Sequence, residues 1–310
     1  MDRIEKEKCV VVIIVAYNGM RWLPKCIETL YVCEGVLNVI LVDNCSTDNT
    51  EAYIRNEFPD ICYLKTEANI GFGRANNLGI KYAIEQQADF IFLLNQDVYL
   101  KGDVIFNLIK KAESNKLYGI LSPEQLDGTG QSYDHNFFSC VRKHQSNKDY
   151  SPPSTECSTK ILEVDFVMAA MWLIPMPVIK IVGGFDPIFS HYGEDDDYVN
   201  RIHYHGFKLG ICRGQVGLHD RQYRVHTTEK DLHISYVRYL SILKNINQSA
   251  TYSKFYAVCL GTYKSLQFLL AGNFSQSFEN LGLLKKAFSL WPLVNSSRRI
   301  SSIKQMSYIA

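Results

Sequence analysis

Short apolar runs alternate with amphipathic helical patterns over the first third of this 310-residue chain. Strands are predicted at 10–15, 36–42, 61–65 and 90–94, and helices at 22–31, 48–58, 74–87 and 103–114. Strands that are apolar along their whole length must be covered on both faces, as in a parallel sheet with helices on each side. The pattern therefore predicts an α/β fold with a doubly wound, mostly parallel sheet.

Composition and charge narrow the functional classes. With 46% hydrophobic and 21% charged residues, the chain has the composition of an ordinary globular protein. A net charge of +1 argues against whole-surface binding to nucleic acid, which requires a basic excess. Nine cysteines without a CxxC pair indicate neither a zinc knuckle nor a disulfide framework. We therefore expect a reducing, cytoplasmic location.

Two apolar stretches could be mistaken for membrane or targeting segments. Residues 9–16 are rich in β-branched side chains and no small-residue cleavage site follows them, so they are interpreted as a strand. Residues 255–271 are interrupted by polar side chains and do not have the composition of a spanning helix.

The C-terminal part differs from the rest in pattern and charge. Helical periodicity runs from residue 233 to near the end, which predicts an α/β domain at 1–225 and a helical extension at 226–310. Residues 253–310 carry seven Lys or Arg and one acid, so they hold a net charge of about +6. Two interpretations stay open. The aromatic and basic residues lie on an anionic membrane surface, or they form a helical cap with a solvated basic face.

Residues 127–153 form a polar segment that lacks periodicity and ends in two prolines. A loop of this length inside a compact domain is usually functional. The segment is predicted to be a lid or a substrate-binding loop.

Polar side chains follow three of the predicted strands. Ligands of doubly wound sheets bind beyond the carboxyl ends of the strands. Asp43 could accept a hydrogen bond from the ring N–H of a pyrimidine base, or residues 43–48 could be only a strand end and a helix cap. Asp97 offers the hard oxygen ligand that a divalent cation on a diphosphate prefers, although an Asn-x-Asp sequence is also a common turn.

Four adjacent acids, Glu194 to Asp197, follow a glycine- and aromatic-rich approach at 183–193. Acids are favourable at a helix start. Adjacent like charges also occur where protons are transferred, because each raises the pKa of its neighbours. The aromatic approach favours a partly enclosed pocket. His219 is either an ordinary histidine or, as a neutral imidazole, a metal ligand.

Taken in order, these motifs resemble those of the family 2 glycosyltransferases with the GT-A fold, and within them the rhamnosyltransferase-type enzymes that build bacterial surface polysaccharides. The resemblance covers about residues 9–225. The motifs are at 12–18, 42–48, 69–76, 94–97, 184–186, 194–201 and His219.

The resemblance implies an inverting enzyme that moves a sugar from a nucleoside diphosphate to a hydroxyl of a glycan or lipid-linked acceptor. Asp195 matches the family's catalytic base, and Asp97 with His219 would hold Mg²⁺ or Mn²⁺. The nucleotide-sugar site would comprise Ala16, Tyr17, Asn18, Asp43, Asn44, Asn69, Gly71, Asn76, Asn95 and Gln96. Such an enzyme would act in the cytoplasm or on the inner face of the plasma membrane.

Two departures from the family pattern matter. Asn95 replaces the first Asp of the usual DxD motif, which leaves the strength of metal dependence open. The base is open between Asp195 and Glu194, while Asp197 is predicted to be structural through Arg201.

Two other functions stay open. A sugar nucleotidyltransferase would need a glycine-rich, basic phosphate loop after the first strand, and residues 16–20 contain a single glycine. A non-catalytic nucleotide-sugar-binding scaffold would not need the acids at 194–195.

Overall fold

A computed structural model of the chain describes residues 8–33, 37–144, 160–221 and 228–309. The strands within these residues are β1 (Val10–Ala16), β2 (Leu37–Asp43), β3 (Cys62–Lys65), β4 (Phe90–Asn95), β5 (Val98–Leu100), β6 (Tyr118–Asp127), β7 (Ile161–Val164), β8 (Met171–Pro175) and β9 (Lys208–His219). The helices are α1 (Leu23–Tyr31), α2 (Thr50–Glu57), α3 (Phe72–Glu85), α4 (Val104–Ser114), α5 (His135–His144), α6 (Met176–Val182), α7 (Glu194–Tyr204), α8 (Thr228–Lys244), α9 (Ala250–Leu270), α10 (Phe274–Ser289) and α11 (Trp291–Ser301).

The strands form one sheet in the order β3-β2-β1-β4-β8-β6-β9-β5, with β7 paired to β9. The first four strands of this order are parallel. Beyond them, β8 runs antiparallel to β4 and β6, whereas β6 and β9 are parallel. The predicted doubly wound sheet with helices on both faces is confirmed.

β1 shows why the strands of this sheet are apolar along their whole length. Val10, Val12 and Ile14 belong to the core that includes α1 and α4. Val11 and Ile13 belong to the core on the opposite face, which includes α3, α6 and α7. Because side chains alternate along a strand and both faces are covered, every position of β1 requires an apolar residue.

The eight elements predicted for the first third of the chain are present, with ends within two residues of the prediction. The helical pattern beyond residue 233 is confirmed by α8 to α11. Their buried side chains form a third cluster that includes Tyr239, Leu243 and Val294. Among the described residues, no helix is long and apolar enough to cross a membrane.

The loop prediction for residues 127–153 was wrong in its middle part. Helix α5 occupies residues 135–144, and it buries Phe137 and Val141. Two apolar anchors one turn apart are too short a pattern to be recognised in a polar segment. Residues 145–159 lie outside the described residues. The predicted domain boundary between residues 225 and 226 also falls outside them, so the division into two domains stays a prediction.

A buried group of charges joins the sheet domain to the C-terminal helices. Lys244 of α8 is 1% exposed, and its Nζ lies 3.0 Å from Oδ1 of Asp197 and 3.2 Å from Oδ2 of Asp186. On the other side, Nε of Arg201 lies 2.8 Å from Oδ2 of Asp197. Burial alone would raise the pKa of Asp197, but Lys244 and Arg201 hold it below its usual value. The predicted structural role of Asp197 through Arg201 is confirmed.

Replacing Lys244 by Met should reduce the free energy of unfolding by about 3–5 kcal/mol, because the buried carboxylates of Asp186 and Asp197 lose a positively charged partner. Lys208→Met is the matched control, since its pair with Glu163 is exposed and screened by solvent, and we expect a much smaller change. Urea unfolding midpoints of both variants measure the difference. Equal losses in the two variants would show that the buried group does not hold the two parts together.

Candidate active site

The candidate site begins where β1 and β4 end beside one another. The backbone N–H of Tyr17 donates to Oε1 of Gln96 at 2.9 Å, and Nε2 of Gln96 donates to the carbonyl of Tyr17 at 3.2 Å. Strand order reverses around β1, and such a switch point opens a crevice at the carboxyl ends of the strands. A cavity of about 200 Å³ lies there. Its lining residues are Val15, Tyr17, Asn44, Asn69, Phe72, Asn95, Gln96, Asp97 and His191.

One side of this first cavity is built by a turn that leads into α3. Oδ1 of Asn44 accepts from the backbone N–H of Ile70 at 2.8 Å, and its Nδ2 donates to Oδ1 of Asn69 at 2.9 Å. Gly71 has φ +87°, and a Cβ there would lie 1.9 Å from the carbonyl oxygen of Ser190. The position therefore requires glycine, which lets the segment before α7 approach the cavity.

Three of the residues predicted to bind the nucleotide sugar support this cavity without lining it. Ala16 is buried in β1, and its carbonyl accepts from the backbone N–H of Asn44 at 2.7 Å. Oδ1 of Asn18 accepts from the backbone N–H of Thr47 at 2.8 Å and so joins two loops. Asn76 is buried in α3 and donates to the carbonyl of Phe72 at 2.9 Å. We interpret these three as residues that fix the walls.

Asp43 is the last residue of β2. Its side chain is 0% exposed, and its carboxylate accepts from the backbone N–H of Ser46 and the hydroxyl of Tyr63. These contacts make Asp43 an anchor for the loop after β2. The predicted contact between Asp43 and a base stays a prediction.

The two predicted metal ligands, by contrast, are in contact. Nε2 of His219 lies 3.3 Å from Oδ1 of Asp97, because β9 ends beside the turn that follows β4. Burial lowers the pKa of His219 in spite of the opposing effect of Asp97, so the imidazole is held in the neutral form that binds metals.

The donor set at this place fits a divalent cation that takes its other ligands from a diphosphate. Within the described part of the chain, Oδ1 of Asn95 is buried without a hydrogen-bond partner. The described residues contain no group of three or more His, Cys, Asp or Glu side chains that could enclose a metal. An Asp, a neutral His and an amide oxygen suit Mg²⁺ or Mn²⁺ only where phosphate or water completes the coordination.

Arg221 belongs to the site and was missed by sequence reasoning. Its Nε lies 3.1 Å from Nδ1 of His219 and 3.5 Å from Oδ2 of Asp134. The signal available in the sequence was a cation two residues after His219. Its partner Asp134 lies in the segment that was predicted to be a loop, so the pair could not be recognised.

Two further cavities continue the cleft beyond the first. The second, of about 290 Å³, is lined by Phe72, Asn95, Met168, Ala169, Ala170, His191, Tyr192, Glu194, Asp195 and Arg221. The third, of about 520 Å³, is lined by Phe166, Tyr192, Gly193, Asp195, Asp196, Asn200, Ile234, Val237, Arg238, Ser241, Ile242 and Asn245. The first and second cavities share Asn95, and the second and third share Asp195. Asp195 therefore stands between the two larger spaces.

The environments of the two candidate bases differ. Glu194 is 7% exposed, and burial together with the charge of Asp195 raises its pKa to about 8. It is therefore mostly protonated at neutral pH. The pKa of Asp195 is also raised. Its largest cause is burial of the carboxyl group, whereas the sequence had suggested the charges of the neighbouring acids. Asp195 is less buried than Glu194 and faces both spaces, so the geometry favours it as the base.

Helix α8 supplies much of the wall of the third cavity, which sequence reasoning did not foresee. Ile234, Val237 and Arg238 line it from one face of this helix. Among the described residues of this wall, Arg238 carries the one positive charge. The C-terminal helices are thus part of the cleft and not only a support for it.

Known proteins show similarity at the levels of sequence and fold. Residues 11–162 match the model of the family described as Glycosyl transferase family 2. The chain is 26% identical to an N-acetylglucosaminyl-diphospho-decaprenol L-rhamnosyltransferase of Mycobacterium tuberculosis over 241 residues, which cover 71% of this chain and 78% of that protein.

Two solved structures share the fold. The structure of S. aureus TarS 1-349 with UDP has a TM-score of 0.57 at 15% identity, and the match covers 95% of this chain and 88% of that one. The mannosyltransferase PcManGT from Pyrobaculum calidifontis, in complex with GDP-Man and Mn²⁺, has a TM-score of 0.56 at 14% identity, with coverages of 96% and 88%.

The match to a glycosyltransferase family argues against the alternative of a sugar nucleotidyltransferase. The fold is the one that the motifs at the strand ends led us to expect. The chain is a glycosyltransferase with the GT-A fold, and its residues 11–162 match glycosyl transferase family 2.

Proposed function

We propose that this enzyme transfers a sugar, with inversion, from a nucleoside-diphosphate sugar to a hydroxyl of a glycan or lipid-linked acceptor. The observation that carries the proposal is the position of Asp195 between the second and third cavities. The nucleotide occupies the first cavity, the donor sugar the second and the acceptor the third.

This arrangement meets the requirement of a single displacement. The base must lie within hydrogen-bond reach of the acceptor hydroxyl, on the side of the anomeric carbon opposite the departing diphosphate. Asp195 lines the second and third cavities, while Asp97, in contact with His219, lines the first. The chain thus separates the carboxylate that takes a proton from the groups that hold the phosphates.

Asp97, His219 and Asn95 would hold Mg²⁺ or Mn²⁺ at the diphosphate. When bound, the cation supplies Lewis-acid stabilisation of the leaving group and orients it. Arg221 adds a fixed positive charge beside His219 in the second cavity, where negative charge develops as the glycosidic bond breaks.

The acceptor class is proposed from the third cavity and from the relative in M. tuberculosis. That relative's name describes a sugar on a diphospho-decaprenol as its acceptor. Arg238 could pair with a phosphate of such an acceptor, while Ile234 and Val237 offer apolar contact. We accordingly place the enzyme in surface polysaccharide synthesis on the inner face of the plasma membrane, with a rhamnosyl or hexosyl donor.

Replacing Asp195 by Asn should lower the turnover number about 10²- to 10⁴-fold and leave donor affinity within a factor of a few, because the amide cannot accept the proton. Glu194→Gln is the matched variant, and it should retain most activity since Glu194 is already mostly neutral at pH 7. Turnover with a panel of nucleotide sugars and donor titration by calorimetry measure both effects. Near wild-type turnover in Asp195→Asn would refute the base assignment, and donor binding without turnover in the wild type would favour a scaffold.

Replacing Asp97 by Ala should abolish the increase in donor affinity that Mn²⁺ gives the wild type, because the pair with His219 loses its hard oxygen ligand. Asn95→Asp should strengthen that response by restoring a second carboxylate. Thermal-shift titrations of the wild type, Asp97→Ala and Asn95→Asp with a panel of nucleotide sugars, in Mn²⁺ and in EDTA, measure donor affinity. The same panel shows which donor binds the wild type. If wild-type affinity is the same in Mn²⁺ and EDTA, the metal role is excluded.

Donor affinity of the wild type should fall by a factor of a few between pH 7 and pH 9. Glu194 is neutral below its pKa of about 8, and above it a new negative charge faces the diphosphate-sugar across the second cavity. Glu194→Gln cannot acquire this charge, so its donor affinity should stay flat over the same range. Parallel slopes for the two proteins would show that another group causes the pH dependence.

A further inference from the structure

Helices α9 and α10 form a hairpin that displays large apolar side chains on its outer face. Phe255 of α9 is 67% exposed, Leu270 of the same helix is 81% exposed, and Phe278 of α10 is 72% exposed. The exposed apolar set of this hairpin is Tyr252, Phe255, Tyr256, Val258, Tyr263, Leu266, Leu269, Leu270, Phe274, Phe278 and Leu281. Apolar patches of this extent on soluble proteins mark a contact surface.

The exposed side chains form continuous stripes. On α9 the spacing from Tyr252 to Leu270 follows three- and four-residue steps through Phe255, Cys259, Tyr263 and Leu266. On α10 the same spacing links Phe274, Phe278 and Leu281. Residues three and four apart share one face of a helix. Each helix therefore presents one apolar face to the outside.

The contact between α9 and α10 is made mainly of small and polar residues, and Leu284 is its large apolar member. Ser253, Ala257, Gly261 and Ser265 are the buried residues of α9. A Cβ at Gly261 would lie 2.6 Å from Cδ2 of Leu284, which shows how closely the helices approach. The hydroxyls of Ser265 and Ser277 each donate to the other residue's carbonyl, at 3.3 and 3.0 Å. Nδ2 of Asn280 donates to the carbonyl of Gly261 at 2.9 Å.

Apart from Leu284, this distribution is the reverse of that in a helix pair that packs in water, where large apolar residues face inward. Small residues and interhelical hydrogen bonds at the contact, with large apolar residues outside, are typical of helices that face lipid. Since no described helix can cross a membrane, the hairpin would lie along a surface.

The positive charge of the hairpin indicates which kind of partner contacts its apolar face. Helices α9 and α10 carry four lysines against one acid: Lys254, Lys264, Lys285 and Lys286 against Glu279. A symmetric contact between two copies would bring two such basic regions together, whereas an anionic bilayer attracts them. Lys285 is exposed one turn beyond Leu281, at the end of the α10 stripe. Tyr252, Tyr256 and Tyr263 add the amphipathic rings that favour the level of the lipid headgroups.

We propose that the outer face of the α9–α10 hairpin docks the enzyme onto an anionic phospholipid surface. The proposed surface begins 46 residues after the end of α7, and the proposal stands whether or not the donor, metal and base assignments are correct.

The test is co-sedimentation of the full chain with vesicles of phosphatidylcholine, alone or mixed with phosphatidylglycerol. The wild type should bind the mixed vesicles at least about tenfold more strongly than the neutral ones. Replacing Phe255, Leu270 and Phe278 together by Ser should reduce binding at least about tenfold, because three inserted side chains are lost. Leu117→Ser is the matched control, since Leu117 is 56% exposed but lies outside the hairpin.

A second variant provides a test that does not depend on whether the triple variant folds. Lys285→Glu should weaken binding to mixed vesicles and leave binding to neutral vesicles unchanged. The proposal is overturned if the wild type binds neither vesicle, or if the triple variant and the control bind equally. Light scattering that shows a dimer lost in the triple variant, without vesicle binding by the wild type, would assign the face to a second copy of the chain. None of these measurements needs donor or turnover, so their failure is distinct from failure of the proposed function.

Discussion

The buried pairing of Asp197 with Lys244 and Arg201 is the interaction on which the arrangement of this protein depends. Asp197 lies in the first turn of α7, two residues after Asp195, while Lys244 ends α8. Buried charges are costly unless each has a partner, so the two helices are held in one relative position. Because α8 also lines the third cavity, the same pairing sets the distance between Asp195 and the α8 wall of that cavity.

The residues that line the cleft come from elements that are far apart in the chain. Loops after β1 and β4 build the first cavity, the ends of β4 and β9 bring Asp97 to His219, and α7 with α8 encloses the third cavity. Most of these side chains lie at or next to the end of a strand or helix, which limits how far they can move relative to the sheet. Substrate choice can therefore change through α8 without disturbing the sheet.

Sequence patterns predicted the parallel half of the sheet because its strands are buried on both faces, and β1 shows the resulting apolar run most clearly. They also singled out Asp97, His219 and Asp195 as candidates, and the structure places Asp97 beside His219 and Asp195 in the lining of two cavities. They did not predict the burial of Asp43 by Tyr63, since pairing of a strand end with a side chain from the next strand depends on packing. Arg221 and the α8 wall were missed for the same reason, because both depend on contacts between distant segments.

Gly71 affects the segment before α7 as well as the turn in which it lies. The carbonyl oxygen of Ser190 lies so close that no side chain fits at position 71, so the turn before α3 and the segment before α7 are in direct contact. Asn69 of the first segment and His191 of the second both line the first cavity. A substitution at Gly71 would push the two segments apart, which would widen the first cavity and displace the start of α7.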